Sequence, residues 1–248
     1  MTTEAPDKLL ERVRKLLAKA EDESCTPPEA EALTAKAAEL MAKYGIDRAL
    51  LAATRPETDA PASRMVDIDN PWGRVKAHLL CGLGAALRCQ CIMLTPPDGG
   101  LKIHLFGYES DLERTDVLYT SVLIQMWHGL AAARVPEHSR SPRAWRRSWL
   151  LGFASAVISR VREAEERAAR QASRDTPAGQ ASRAQLVLAD RSVVIRTAVQ
   201  REYPVTRTAR MTYSGSGYGA GYAQGQRADI GTRRVARPGG RTLTRAGG

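Results

Sequence analysis

The hydrophobic positions between residues 8 and 46 recur at spacings of three and four, which is the period of an amphipathic α-helix. A first apolar stripe covers residues 8–20. A second stripe follows Thr26-Pro27-Pro28-Glu29, which has the form of a capping box, and Gly45 suits the cap at its end. Because the connection between the stripes is short, the pattern predicts an antiparallel helical hairpin.

The next part of the chain alternates between helical and strand periods. A helix is predicted over residues 72–87, and the apolar alternation at 89–94 and 101–106 brackets a Pro-Gly-rich loop, which is typical of a β-hairpin. Ser110-x-x-Glu113 is a second capping box, from which a helix should continue to about Ala133. These elements form an α-β-β-α unit.

We therefore expect an α+β protein with three parts. The hairpin module covers residues 1–54 and is followed by a polar linker, Thr54 to Ser63. The α+β domain covers residues 64–231, and residues 232–248 read as a disordered basic tail. Inside the domain, the pattern further predicts a long helix from Arg143 to about Ser173, a strand at 185–189 and a helix at 190–203.

Several stretches resemble one family. KLLERVRKLLAKA at 8–20 and the segment 31–46, ending in LMAKYGI, are similar to the N-terminal module of the domain of unknown function 2786 family. Weaker likenesses to proteins that carry this module occur at Leu105-Phe106-Gly107 with Ser110-Asp111, at Ser148 to Phe153 and at Gly221 to Asp229. The resemblance implies a helical module, and it supplies no catalytic residue and no cofactor.

The positive charge is concentrated in one half of the chain. Residues 134–248 hold 22 arginines and 8 acidic groups, a net charge of +14, whereas residues 1–133 have a net charge of −4. Such asymmetry favours an acidic partner, which we expect to be DNA or RNA bound through the C-terminal half. The alternative is a solvated surface followed by a basic tail.

The candidate nucleic-acid contact within this half comprises Arg143, Trp145, Arg146, Arg147 and Trp149. Guanidinium groups pair with phosphate, and an exposed indole can stack on a base. The alternative is that both tryptophans pack in the core with Phe153.

A glycine-rich segment suggests a candidate anion site at Gly217, Gly219 and Gly221, because backbone N–H groups in such a turn can cradle phosphate. Its spacing does not match the dinucleotide fingerprint. Since Gly217, Gly221 and Gly225 lie four residues apart, we favour close packing of a helix on a neighbour.

Candidate metal-binding and catalytic sets are sparse. His78, Cys81, Cys89 and Cys91 match no common zinc spacing, so we expect inert thiols and no metal or cofactor. His104 with Glu109 and Asp111 could form an acid–base or Mg²⁺-binding set, although the two carboxylates also suit a helix N-terminus. The chain has no HExxH, GxSxG or Walker A motif, and we assign no catalytic residue.

These observations favour a non-enzymatic nucleic-acid-associated protein of phage or mobile-element type. One alternative is an adaptor that docks on a protein partner through residues 8–46, and another is a metal-dependent nuclease-like enzyme. The start of the chain has no apolar leader and no apolar run could span a bilayer, so we expect a soluble cytoplasmic protein without a membrane partner.

Overall fold

The computed structural model of the protein describes residues 6–20, 27–97, 99–174, 181–207 and 215–228. These ranges combine a majority of helical residues with a small antiparallel sheet, which confirms the predicted α+β class. Within them, no helix is both long enough and apolar enough to cross a bilayer. The predicted cap at Thr26 and the tail 232–248 lie outside the described residues.

The N-terminal pair consists of α1 (Pro6–Ala20) and α2 (Pro27–Thr54), which pack on each other. The prediction that Gly45 ends the second helix is wrong, because α2 continues through it to Thr54. Gly45 is buried beneath the Arg114 side chain, and a Cβ there would overlap the guanidinium. This glycine therefore provides space for a neighbour and does not terminate the helix.

The last residues of the segment read as a linker, 61–63, are built into the sheet. After a short 3-10 helix (Pro56–Thr58), β1 (Pro61–Asp67) pairs antiparallel with β3 (Lys102–Tyr108). The strand β2 (Gln90–Leu94) pairs with the other edge of β3, as the predicted β-hairpin requires, and the sheet order is β1-β3-β2. The sequence analysis missed β1 because its partner is distant along the chain.

Helices cover both faces of this sheet. On one face, Ile103 and Leu105 of β3 pack among residues of α3 (Gly73–Ala86) and α4 (Glu109–Ala132). On the other face, Phe106 packs against Ile195 and Val199 of α6 (Ala181–Glu202). The predicted strand at 185–189 is therefore wrong, because these residues belong to α6.

The largest apolar core joins the N-terminal helices to the rest of the chain. Val13 of α1 and Met41 of α2 lie in the same cluster as Leu79 of α3, Met126 of α4 and residues of α5 (Pro142–Arg174). The last described helix, α7 (Tyr218–Arg227), packs along α5. The hairpin thus rests on the helices that follow it in sequence.

Candidate functional site

The candidate contact segment lies at the start of α5. Pro142 begins the helix, and the Ser141 hydroxyl oxygen accepts the Ala144 N–H at 3.2 Å. Arg143 and Arg146 are exposed, and Arg147 is half-buried. The first turn carries no acidic residue, so the positive end of the helix dipole faces a concentration of arginine charge.

The two tryptophans of this segment are core residues, which corrects their assignment to the nucleic-acid contact. Trp145 is 5 % exposed and Trp149 is 2 % exposed. Trp149 stacks on Phe153 with 5.6 Å between the ring centroids. Because both indoles are covered by protein, they are not available to stack on a base, and the alternative interpretation of core packing is the one observed.

Glycines hold α7 against α5, as the favoured helix-packing interpretation predicted. A Cβ on Gly217, Gly221 or Gly225 would overlap or crowd backbone of α5, at the carbonyl oxygens of Trp145, Trp149 and Phe153 respectively. Since later glycines meet later residues of α5, the two helices run in the same direction. Arg160 of α5 donates to the carbonyl oxygens of Gly225 and Ala228 at the C-terminal end of α7.

This packing also determines which glycines of the candidate anion site are accessible to a ligand. The Gly217 N–H donates to the Ser148 hydroxyl oxygen at 2.9 Å, and both Gly217 and Gly221 are buried against α5. Gly219 is exposed, and apart from its chain neighbours and the backbone of its own helix, no heavy atom of the described residues lies within 4 Å of the position a Cβ would take. Anion binding by the three glycines remains a prediction, but the Gly217 N–H already donates to Ser148 within the protein.

Two exposed tyrosines project from α7. Tyr218 is 40 % exposed and Tyr222 is 37 % exposed, and their rings lie at 6.2 Å between centroids with 23° between planes. Because Gly217 sits over Trp145, the start of α7 lies beside the start of α5. We refer to Arg143, Arg146, Arg147, Tyr218 and Tyr222 as the arginine–tyrosine surface. The sequence analysis missed the tyrosines, although their spacing of four beside the packing glycines was a usable signal.

A second polar assembly is buried between the elements. We refer to three acidic and three arginine side chains as the buried ionic network: Asp59, Arg88, Asp111, Arg114, Glu165 and Arg191. Arg114 is fully buried and pairs with Asp111, at 2.9 Å, and with Glu165. Burial alone would lower the pKa of Arg114, but Glu165 and Asp111 outweigh it and raise that pKa.

The other arginines tie further elements into the buried ionic network. Arg88, which follows α3, lies 2.9 Å from Glu165 and 3.5 Å from Asp111. Arg191 of α6 lies 2.7 Å from Asp59 and 3.3 Å from Asp111, and its guanidinium stands 3.5 Å above the centre of the Tyr108 ring. The network therefore links the turn after α3, the helices α4, α5 and α6, and the segment before β1.

Asp59 also caps α4. Its carboxylate accepts the Ser110 N–H at 3.0 Å and the Ser110 hydroxyl at 2.7 Å. The predicted capping box is therefore wrong, because Ser110 donates to Asp59 and the cap comes from outside the helix. The sequence analysis missed Asp59, which stands in the segment read as a linker.

The structure gives the three candidate acid–base residues separate partners. His104 is buried beneath α6, where its Nδ1 lies 2.8 Å from the Tyr203 hydroxyl. Glu109 pairs with Arg64, and Asp111 belongs to the buried ionic network. We see no shared hydrogen bond that would join these three side chains into one site.

Three of the four candidate metal residues, Cys81, Cys89 and Cys91, pack in one cluster between α3 and the sheet. Among the described residues, no group of three or more histidine, cysteine or acidic side chains is placed to hold a metal ion. Burial lowers the pKa of His78, and burial raises the pKa of Cys89 to about 12. Cys89 Sγ lies 3.7 Å from the Thr115 hydroxyl.

Residues 8–48 match the model of the family described as Protein of unknown function (DUF2786). The match covers most of α1 and most of α2, and it agrees with the resemblance found in the sequence. Neither a curated protein nor a solved structure matches the chain.

Proposed function

We propose that the protein is a non-enzymatic nucleic-acid-associated protein that binds single-stranded DNA or RNA at the arginine–tyrosine surface. The observation that carries the proposal is that the starts of two helices adjoin, α5 with the exposed Arg143 and Arg146 and α7 with an exposed, stacked tyrosine pair. The arginines would contact phosphates and the tyrosines would contact bases, which is the usual division of labour in single-strand binding.

Electrostatics support phosphate as the ligand of this surface. Arg143, Arg146 and Arg147 repel one another and also face the positive end of the α5 dipole, without an acidic residue in the first turn. Arg134 and Arg140, just before the helix, are exposed as well. A bound phosphate would relieve this repulsion and pair with guanidinium groups in a bidentate manner.

The exposed tyrosines support a preference for unpaired strands. A base that is held in a duplex has no free face for a side chain, whereas an unpaired base can stack on an aromatic ring at about 1–3 kcal/mol per base. Tyr218 and Tyr222 are the exposed rings of α7, and their apolar faces have no role in the core clusters.

The test compares two triple variants that remove the same charge. Arg143→Gln, Arg146→Gln and Arg147→Gln together should weaken binding to a labelled single strand at least tenfold. They should also reduce the slope of log affinity against log salt by about 2, since each phosphate contact contributes about 0.7. The matched control is Arg162→Gln, Arg167→Gln and Arg170→Gln, at exposed positions further along the same helix.

A second pair of changes separates stacking from charge. Tyr218→Ser with Tyr222→Ser should weaken single-strand binding and leave both the salt slope and duplex binding unchanged. If the two triple arginine variants lose the same amount of affinity, binding depends on net charge alone and not on the arginine–tyrosine surface. Loss of all binding on deletion of residues 232–248 would assign it to that segment and contradict the proposed surface.

No specific observation in the described residues favours either alternative function. The adaptor hypothesis needs an uncovered hairpin face, but Val13 and Met41 lie in the shared core. The nuclease-like hypothesis needs convergent carboxylates, but Glu109 and Asp111 are each paired with arginine. Mg²⁺ would have to compete with those guanidinium groups for both carboxylates.

A further inference from the structure

The strand β1 forms an outer edge of the sheet, and the hydrogen bonds at its two ends show which of its residues face β3. Just before the strand, the Ala60 carbonyl oxygen accepts the Glu109 N–H at 3.0 Å. Just after it, the Ile68 N–H donates to the Leu101 carbonyl oxygen at 2.8 Å. Because bonding residues alternate along an antiparallel pair, the even-numbered residues of β1 bond to β3. The outward N–H and C=O groups therefore belong to Ser63, Met65 and Asp67.

These outward groups have no backbone partner within the part of the chain that the structure describes. Edge strands of stable proteins are commonly protected from other chains by lysine, by proline or by a bulge. The register of β1 runs from Pro61 to Asp67 without a bulge, its only proline stands at the first position, and its centre carries the uncharged Met65. The edge is therefore open to pairing with a further strand.

We propose that β1 is a homodimer interface, at which the β1 strands of two copies of the chain pair antiparallel about a two-fold axis at Met65. The two sheets then become one continuous sheet. The inference is independent of nucleic-acid binding, since it rests on β1 and not on the arginine–tyrosine surface.

The sequence of β1 is complementary to itself in this register. With the axis at Met65, the two Met65 residues face each other, and Ser63 of each copy faces Asp67 of the other. All outward backbone groups then find partners, because facing residues exchange hydrogen bonds in both directions. The Asp67 side chain is 72 % exposed, so its carboxylate can accept the Ser63 hydroxyl of the second copy.

Charge selects this register over the neighbouring one. With the axis at Arg64, the guanidinium groups of the two copies would stand directly opposite each other at a closely spaced position of the ladder. Like charges in that position destabilise strand pairing. With the axis at Met65, Arg64 faces the uncharged Val66 of the second copy, and this repulsion is avoided.

The side chain at the axis lies on an open part of the sheet. Met65 is 49 % exposed, whereas its neighbour across the pairing with β3, His104, is buried beneath α6. Pairing of two copies would bring the two Met65 side chains together and remove apolar surface from water. The second copy thus covers both the open backbone edge and the exposed side chain at its centre.

Sedimentation velocity of the full-length protein, freed of nucleic acid, tests the proposal over a range of protein concentrations. The wild-type chain should form a reversible dimer. Met65→Lys places like charges opposite each other at the axis and should weaken the dimer about tenfold or more. The matched control is Val193→Lys, which adds the same charge at a 54 % exposed position of α6 and should leave association unchanged. Circular dichroism checks that each variant is folded.

Two changes at Ser63 test the register itself. Ser63→Lys would face Asp67 of the second copy and should strengthen the dimer about threefold or more, whereas Ser63→Asp should weaken it. A general charge effect would act in the opposite sense, because the chain carries a net charge of +10. The proposal is overturned by a wild-type chain that stays monomeric, even if β1 accepts a strand of another protein. Equal effects of Met65→Lys and Val193→Lys, or no opposed shifts from the two Ser63 variants, would overturn it as well.

Discussion

At the scale of single residues, the most demanding feature is a guanidinium without access to water. Arg114 is fully buried, and such a charge is tolerated only when carboxylates replace its hydration. Asp111 and Glu165 do so, and Arg88 and Arg191 in turn balance those acids together with Asp59. The buried ionic network therefore contains equal numbers of both charges and depends on every member.

Removal of one acid from this network should be costly. Glu165→Gln keeps the size of the side chain but leaves Arg114 and Arg88 with reduced compensation. We expect a loss of about 3–5 kcal/mol in the free energy of unfolding, which is the range for breaking a buried ion pair. The measurement is urea unfolding followed by circular dichroism.

The neighbouring residue provides the matched control. Glu166 is 57 % exposed at its side chain and lies 3.7 Å from Arg170, one turn further along α5. Glu166→Gln should change stability by less than about 0.5 kcal/mol, because exposed pairs on one helix contribute little. Similar losses in the two variants would show that the network does not carry the assigned stability.

At the scale of elements, the contact between α5 and α7 depends on the absence of side chains. The backbones of the two helices approach so closely at Gly221 that a methyl group there would overlap the Trp149 carbonyl oxygen. A carbonyl of a helix cannot move aside without a shift of the whole element. On the outer side of the same helix, Gly219 faces open space among the described residues.

These two glycines predict opposite effects of the same substitution. Gly221→Ala should push α7 away from α5 and cost about 1–3 kcal/mol, as overpacked positions do. Gly219→Ala should stabilise the protein by up to about 1 kcal/mol, because alanine is the better helix former at an uncrowded site. Thermal unfolding of both variants is the measurement, and destabilisation by Gly219→Ala would contradict the packing described.

Elements with strong local signals were predictable, and those defined by distant partners were not. The helix at 72–87, the β-hairpin and the long helix from Arg143 follow from periodicity and turn residues, and the structure confirms them. The strand β1 owes its existence to pairing with β3, a distant partner that the local pattern of residues 61–67 does not reveal. Gly45 has the same sequence context as a helix cap, and only Arg114 shows why it is glycine.

The candidate site also has features that the sequence predicts and features that depend on contacts between distant elements. The concentration of arginine around the start of α5 is a property of the sequence alone, and it could be predicted. The burial of Trp145 and Trp149, and the exposure of Tyr218 and Tyr222, depend on how α7 docks on α5. Aromatic residues can face either core or solvent at the same spacing, so periodicity could not decide which pair is free.

At the scale of the whole molecule, the core runs across the boundary between the predicted hairpin module and the rest. Met41 and Val13 share one cluster with Leu79, Trp149 and Phe153. A helical pair of this length has little stability without tertiary packing. We therefore expect the N-terminal helices and the remaining elements to unfold in one transition.

Tryptophan fluorescence can test this coupling because all four tryptophans lie after residue 54. Met41→Ala removes a buried side chain of the hairpin, at 3 % exposure, and should cost about 2–5 kcal/mol. If the two parts unfold together, the fluorescence midpoint in urea should fall by the same amount as the midpoint from circular dichroism. Lys43→Ala, at an exposed position of the same helix, is the control and should move neither midpoint appreciably. A Met41→Ala variant that shifts only part of the circular dichroism signal, with an unchanged fluorescence midpoint, would show that the hairpin is an independent unit.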